Sequence, residues 1–234
     1  MFERPHHRRV AQVLESMDAR FLSETCSFFA GGTAIALRLN EFRESLDVDF
    51  ACSDPQGYRQ LRSAVFHHGL DALFTSPVEA LRELRADHYG VRVVLRVDDA
   101  PVKVEIVREA RMTLEAEAVP GIPVLSATRE GLFAAKLLAN ADRYADDSAL
   151  ARDIIDLTMM EARWGEVPKA AWAQATAAYG DAAVAAYDRA RQRLRTTPVR
   201  LAACLQDLAV EPWAASEIKQ RLLAGARDGP EPVP

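Results

Sequence analysis

A chain of 234 residues, 49% hydrophobic, 27% charged and with a net charge of −5, has the composition of an ordinary soluble globular protein of one large or two small domains. The acidic balance excludes a general nucleic-acid coat, and no apolar run approaches the ~18–20 residues of a membrane span. Cys26, Cys52 and Cys204 are odd in number and widely spaced, which excludes a disulfide framework and suits a reducing cytoplasm.

The charged opening "MFERPHHRRV" has no apolar stretch of the kind a secretory leader needs. Residues 5–20 then read as a helix with Val10, Val13, Leu14 and Met17 on one side. "CSFFAGG" is a short apolar run ending in glycines, the pattern of a buried strand. "TAIALRLNEF" follows as a helix for which Thr33 is the expected cap, and "SLDVDFA" alternates as a strand. Asp54-Pro55 opens a helix over 55–69. "YGVRVVLRVDD" and "PVKVEIVRE" are β-rich runs separated by Asp98-Asp99-Ala100-Pro101, the pattern of a hairpin, and "GIPVLSA" gives one more strand. After Ser126 the β-rich runs disappear. Helices are expected over 127–144, 148–163, 167–178, 180–195, 198–208 and 214–225, with a disordered tail over 227–234. The expected organisation is therefore an α/β domain over 1–125 and a helical domain over 126–226.

The chemistry concentrates on the second strand. Side chains at i and i+2 share a strand face, so Asp47 and Asp49 project together while Leu46, Val48 and Phe50 project into a core. Two carboxylates so close require a cation between them, and converging acids suit a hard oxygen-seeking ion such as Mg²⁺. Glu105, between Val104 and Ile106, shares a strand face with Lys103 and supplies a third acid. Each acid taken singly also suits a solvated strand face, with Arg38 or Arg43 as partner. The glycine pair tips the balance: Gly31-Gly32-Thr33 falls between a strand and a helix, where glycine permits close approach of a ligand and helix N–H groups favour phosphate. Together these parts describe a nucleoside triphosphate site.

Gly-Gly-Thr, thirteen residues and Asp-Val-Asp resemble the signature of the polymerase-β-like nucleotidyltransferase superfamily. The wording "FAGGTAIALR…SLDVDF" and the downstream "LFAAKLLANADRYADDSALARDIIDL" are similar to the AbiEii/AbiGii-type toxins of bacterial toxin–antitoxin, or abortive-infection, systems, over roughly residues 25–160. The resemblance implies an α+β fold: a polymerase-β-like nucleotidyltransferase domain with a mixed sheet flanked by helices, followed by a C-terminal helical bundle. It implies that Gly31, Gly32 and Thr33 hold an NTP, that Asp47, Asp49 and Glu105 bind two Mg²⁺ ions, and that Lys136 contacts the nucleotide phosphates. Arg38 and Arg143 are expected in the same cleft. Implied partners are an RNA acceptor, such as a tRNA 3′ end, and a cognate antitoxin, in the cytoplasm. A small-molecule (antibiotic) adenylyltransferase and a non-catalytic nucleotide- or partner-binding module are the alternatives.

Helical spacing places Lys136, Asn140 and Arg143 on one face, which overlooks either the cleft or solvent. Asp153 and Asp156 form a second same-face pair able to orient Lys136 or Arg143. The five arginines between Asp188 and Arg200 read as a solvated helix face or as contacts to a polyanion. The adjacent histidines at 6–7 and 67–68 cannot face one ligand, and Cys52 falls on the core-facing side of its strand. Trp164, Trp172 and Trp213 read as core or edge aromatics. No CxxC or HExxH supports zinc, and no Gly-x-Ser-x-Gly supports a serine hydrolase.

Overall fold

The computed structural model describes residues 2–224, so position 225 and the segment 227–234 lie outside it. The chain divides into two compact units, one ending at Ala135 and the other starting at Lys136.

The first unit is built on one mixed sheet. Its principal strands are β1 (Ser27–Ala30), β2 (Val48–Cys52), β5 (Gly90–Val97) and β6 (Ala100–Arg108). Three two-residue strands, β3 (Glu79–Ala80), β4 (Arg85–Ala86) and β7 (Ala116–Glu117), are too short to carry a periodic signal, and β8 (Ser126–Ala127) is all that forms of the expected "GIPVLSA" strand. The order is β3-β5-β6-β2-β1-β8-β7, with β4 also on β5. β2 runs parallel to β6 and antiparallel to β1.

Alternation sorts the sheet into two faces. Val48, Phe50 and Cys52 of β2, Val91, Val93 and Leu95 of β5, and Val102, Val104 and Ile106 of β6 are all buried. Helices α1 (Pro5–Ser16) and α4 (Pro55–His68) pack on this sheet, and their own apolar stripes, Val10, Val13 and Leu14, and Leu61 and Val65, are buried too. Removing each such side chain from water stabilises the fold by about 1.5–3 kcal/mol before entropy is counted. The intervening positions carry Asp49, Arg92, Lys103 and Glu105, so the second face is charged.

Three expectations are corrected. The first helix ends at Ser16, because Asp18 caps a separate α2 (Ala19–Glu24) by accepting from the Phe21 N–H at 2.9 Å. The β5–β6 hairpin turns on Asp98-Asp99 alone, both with positive φ, and Ala100 and Pro101 already pair with Val97 and Arg96. Leu46 is 53% exposed and not in the core, because β2 begins only at Val48.

Helix α5 (Arg129–Arg143) spans the division between the units. In the second unit the described regular structure is helical: α6 (Arg152–Trp164), α7 (Lys169–Tyr179), α8 (Asp181–Thr196), α9 (Pro198–Asp207) and α10 (Pro212–Ala224). α6 is buried continuously from Asp153 to Glu161, with α8 and α10 packed on it. The helix expected to start at 148 is instead a 3-10 turn, Asp147–Ala149, then Leu150 and Ala151 with φ of 51° and 50°. No helix among the described residues is long and apolar enough to cross a membrane, and all three cysteines are free thiols.

Candidate active site

The site begins where β1 gives way to α3 (Gly31–Arg38). Ala30 is extended and Gly31 turns the chain with a φ of +73°. The turn lies against the acids: a Cβ added at Gly31 would stand 2.7 Å from Asp49 Oδ2 and 2.9 Å from its Cβ. Gly31 is therefore glycine for two reasons, its conformation and the carboxylate beside it. The second glycine serves a different neighbour, since a Cβ at Gly32 would run into Nη2 of Arg43. Thr33 does not cap α3, whose N-cap is Ala30. It is wholly buried, and its hydroxyl donates to the carbonyl of Asp47 at 2.5 Å and approaches Ser45 Oγ at 2.9 Å. Thr33 thus ties the helix start to the loop that delivers Asp47. Thr33→Val should cost about 1–3 kcal/mol, the penalty of an unmade buried hydrogen bond, read from urea denaturation; an unchanged midpoint would remove Thr33 from this role.

The same loop is fastened from the other side by α1. His7 is fully buried, with Nδ1 2.8 Å from Glu41 Oε1 and Nε2 accepting from the Ser45 N–H at 3.2 Å. Burial lowers its pKa despite the pull of Glu41, so the ring is neutral and carries its proton on Nδ1. Glu41 also accepts from the backbone N–H groups of Glu3 and Arg4, at 2.6 and 3.0 Å. Sequence reasoning missed His7, because its partners lie more than thirty positions away.

Across the sheet, Asp49 is the register partner of Glu105, and Glu105 of Arg92. These three and Lys103 share the charged face, and Asp47, half-exposed, leads into the start of β2. Glu105 is held by two cations: Arg92 Nε lies 2.5 Å from Oε1, and Lys103 Nζ lies 2.5 Å from Oε2. Burial pushes its carboxyl pKa up, but Lys103 and Arg92 outweigh burial and hold it below the usual range. Burial likewise disfavours the Lys103 ammonium, yet Glu105, with help from Asp47 and Asp49, raises its pKa. Lys103 thus supplies part of the positive charge on this face. Glu105, expected as a third metal-binding acid, is here ion-paired with both cations, and among the described residues no three His, Cys, Asp or Glu side chains are grouped to hold a metal ion. Both Glu105 oxygens are engaged by cations; Asp47 and Asp49, close to the turn at Gly31, are carboxylates whose oxygen chemistry suits a divalent ion.

Arg38 does not face this site. Its guanidinium is 7% exposed, donating to the Ala127 carbonyl at 2.8 Å and to Glu117 Oε1 at 2.5 Å, so it ties α3 to β7 and β8.

The second unit carries its own charge cluster. In the Lys136–Asn140–Arg143 stripe of α5, Lys136 and Arg143 meet the acids of α6, and Asn140 is buried with no hydrogen-bond partner for Nδ2 among the described residues. Lys136 Nζ lies 2.9 Å from Asp153 Oδ1 and 2.6 Å from Asp156 Oδ2, and Arg143 clasps Asp153 through Nε at 2.6 Å and Nη2 at 2.8 Å. Burial opposes ionisation of Asp153, but Lys136 and Arg143 hold its pKa far below the usual range. The arginine run is mostly paired within the unit as well. Arg193 and Arg200 reach Asp147 at 2.7 and 2.8 Å, and Arg191 reaches Glu161 at 3.3 Å.

Comparison with known proteins bears on the family and the fold. The family model described as "Nucleotidyl transferase AbiEii toxin, Type IV TA system" matches residues 12–224. A solved H. pylori structure assigned as a nucleotidyltransferase is 18% identical, covers 94% of this chain and 92% of its own, and superposes with a TM-score of 0.52, a likeness of fold. JHP933 from Helicobacter pylori is 15% identical over 83% of this chain and 95% of its own, with a TM-score of 0.37. No curated protein matches the chain.

Proposed function

The chain belongs to the AbiEii nucleotidyl transferase toxin family and is a nucleotidyltransferase, and from that premise we propose that it moves an NMP from an NTP to a hydroxyl of an RNA acceptor, such as a tRNA 3′ end, with Mg²⁺. Family membership implies an NTP substrate and a cognate antitoxin. The observation that carries the reading is the approach of Gly31 to Asp49: a phosphate-favouring helix start and a carboxylate are held side by side, with no side chain between them.

Asp47 and Asp49 are the residues that would hold Mg²⁺, which when bound supplies Lewis-acid charge to phosphate and acceptor oxygens. The first N–H groups of α3 and the bare Cα of Gly31 receive the triphosphate. Thr33 and His7 hold the loop that sets Asp47 in place. Glu105 keeps Lys103 and Arg92 beside the acid pair as fixed positive charges. The acceptor hydroxyl oxygen bonds to the α-phosphorus and its proton passes to solvent, the bond from the α-phosphorus to the bridging β-phosphate oxygen breaks, and pyrophosphate leaves. Positioning and charge neutralisation supply most of the acceleration.

The test is incubation with each labelled NTP, Mg²⁺ and total cellular RNA. Label should pass to RNA and be lost in Asp47→Ala. Label on a compact hydroxylated compound would replace the RNA reading with the antibiotic-adenylyltransferase one. No Mg²⁺-dependent NTP binding by calorimetry would leave only a partner-binding module.

A further inference from the structure

The charged face does not end at Glu105. Going outward from β6, Glu105 is registered with Arg92 of β5, and Arg92 with Arg85 of the edge strand β4. Asp49, Glu105, Arg92 and Arg85 thus form one row across four strands, negative at the inner end and positive at the outer. At about 4.8 Å per strand the row spans about 14 Å. Beside its outer end is a cavity of about 470 Å³, lined by Arg82, Glu83, Arg85, Arg92, Val94 and Lys103 among others. Four cations face one acid there, in a protein whose net charge is −5.

The Arg85–Arg92 pairing is unfavourable by itself, because like charges directly opposite in a ladder destabilise it. The same edge shows the ordinary arrangement one strand-pair away, where Glu79 opposes Arg96 and binds it at 2.8 Å. Arg92 is offset by Glu105 and, at 3.4 Å, by Asp87. Arg82 and Arg85 are exposed and have no acidic partner among the described residues. A polyanion laid along this edge would supply the missing negative charge.

We propose that the cavity over β4, β5 and β6, with Arg82 and Arg85 at its mouth, is where the phosphate backbone of the acceptor RNA strand binds, its terminal hydroxyl directed along the row to Asp49. This rests on the RNA-transferase reading above and adds where the acceptor enters. The two substrates approach the acids from opposite sides: the triphosphate from Gly31 on β1's side, the acceptor from Arg92 on β5's side. A cationic small molecule is disfavoured at such an entrance, whereas an anionic strand is drawn to it.

The experiment measures binding of a short fluorescent single-stranded oligoribonucleotide by anisotropy across a KCl series, for the wild type and for Arg82→Ala/Arg85→Ala, with Mg²⁺-dependent NTP binding measured calorimetrically in both. The double variant should bind the oligoribonucleotide about tenfold more weakly, and its log–log salt slope should shrink by about 1.4, two contacts at ~0.7 each. NTP binding should be unchanged. Unaltered RNA affinity and slope would overturn the proposal and leave the arginines as charges that only keep the sheet edge from pairing; if the wild type still labels RNA, the functional reading survives that result. A wild type that binds NTP but no RNA would overturn both.

Discussion

Asp49→Asn is expected to abolish nucleotidyl transfer while leaving the fold as stable as the wild type. Asparagine keeps the shape of the side chain and its place beside Gly31, whose Cα leaves no room for rearrangement. What it removes is one negative charge from a row in which Asp49 is registered against Glu105. In the resting protein that charge faces Glu105 across the ladder and draws on Lys103, and asparagine keeps a hydrogen-bonding side chain in its place, so its loss should cost folding little. In the reaction it is one of two oxygen ligands proposed for the metal, and removing such preorganised electrostatic stabilisation lowers rates by about a thousandfold. Transfer of labelled NMP and a thermal melt on the same preparation check both halves. Wild-type transfer by Asp49→Asn would remove Asp49 from the chemistry. A large drop in melting temperature would instead make its role structural.

The parts of this site carried by local pattern are visible in the sequence, and those made by long-range contact are not. Strand parity separates Asp49 and Glu105 from the core residues around them, and the structure puts them opposite one another on neighbouring strands. The Gly-Gly turn is legible as a turn, but the division of labour is not: one glycine clears Asp49 and the other clears Arg43, a distinction set by a loop eleven or more residues away. Arg38 looks like a cleft cation from helical spacing, yet its partners, Glu117 and Ala127, come from strands about eighty to ninety positions distant. Alternation extended through the loop places Leu46 inside, but alternation has meaning only once the ladder starts at Val48. The left-handed pair Leu150-Ala151 breaks the helix expected from 148 without a glycine to announce it. The Lys136–Asn140–Arg143 stripe shows the limit most plainly: helical periodicity identifies a polar face but not what lies opposite, and here it is the two acids of α6.

That pairing makes Lys136→Met the substitution with the largest expected effect on stability. Lys136 is 5% exposed, and Asp153 and Asp156 are 3% and 0% exposed. The ammonium bridges both carboxylates, and Arg143 binds Asp153. Methionine fills the space of the lysine stem, so the loss is one of charge, not of packing. Breaking a buried pair from one side typically costs about 3–5 kcal/mol, because the remaining charge stays desolvated. Urea denaturation at neutral pH should show that loss, and nucleotidyl transfer should fall with it. Adding Asp156→Asn, which removes one of the two buried acids, should recover part of the stability but none of the activity. The acid limb gives an independent check. The folded pKa of Asp153 lies below its unfolded value, so its contribution is present above the ordinary carboxylate range and is lost as pH falls toward the folded pKa. Wild-type stability should therefore fall below about pH 4, and the fall should be shallower in Lys136→Met, where Asp153 has lost its largest source of stabilising charge. Equal acid limbs in the two proteins would show that the buried cluster does not govern the pH dependence.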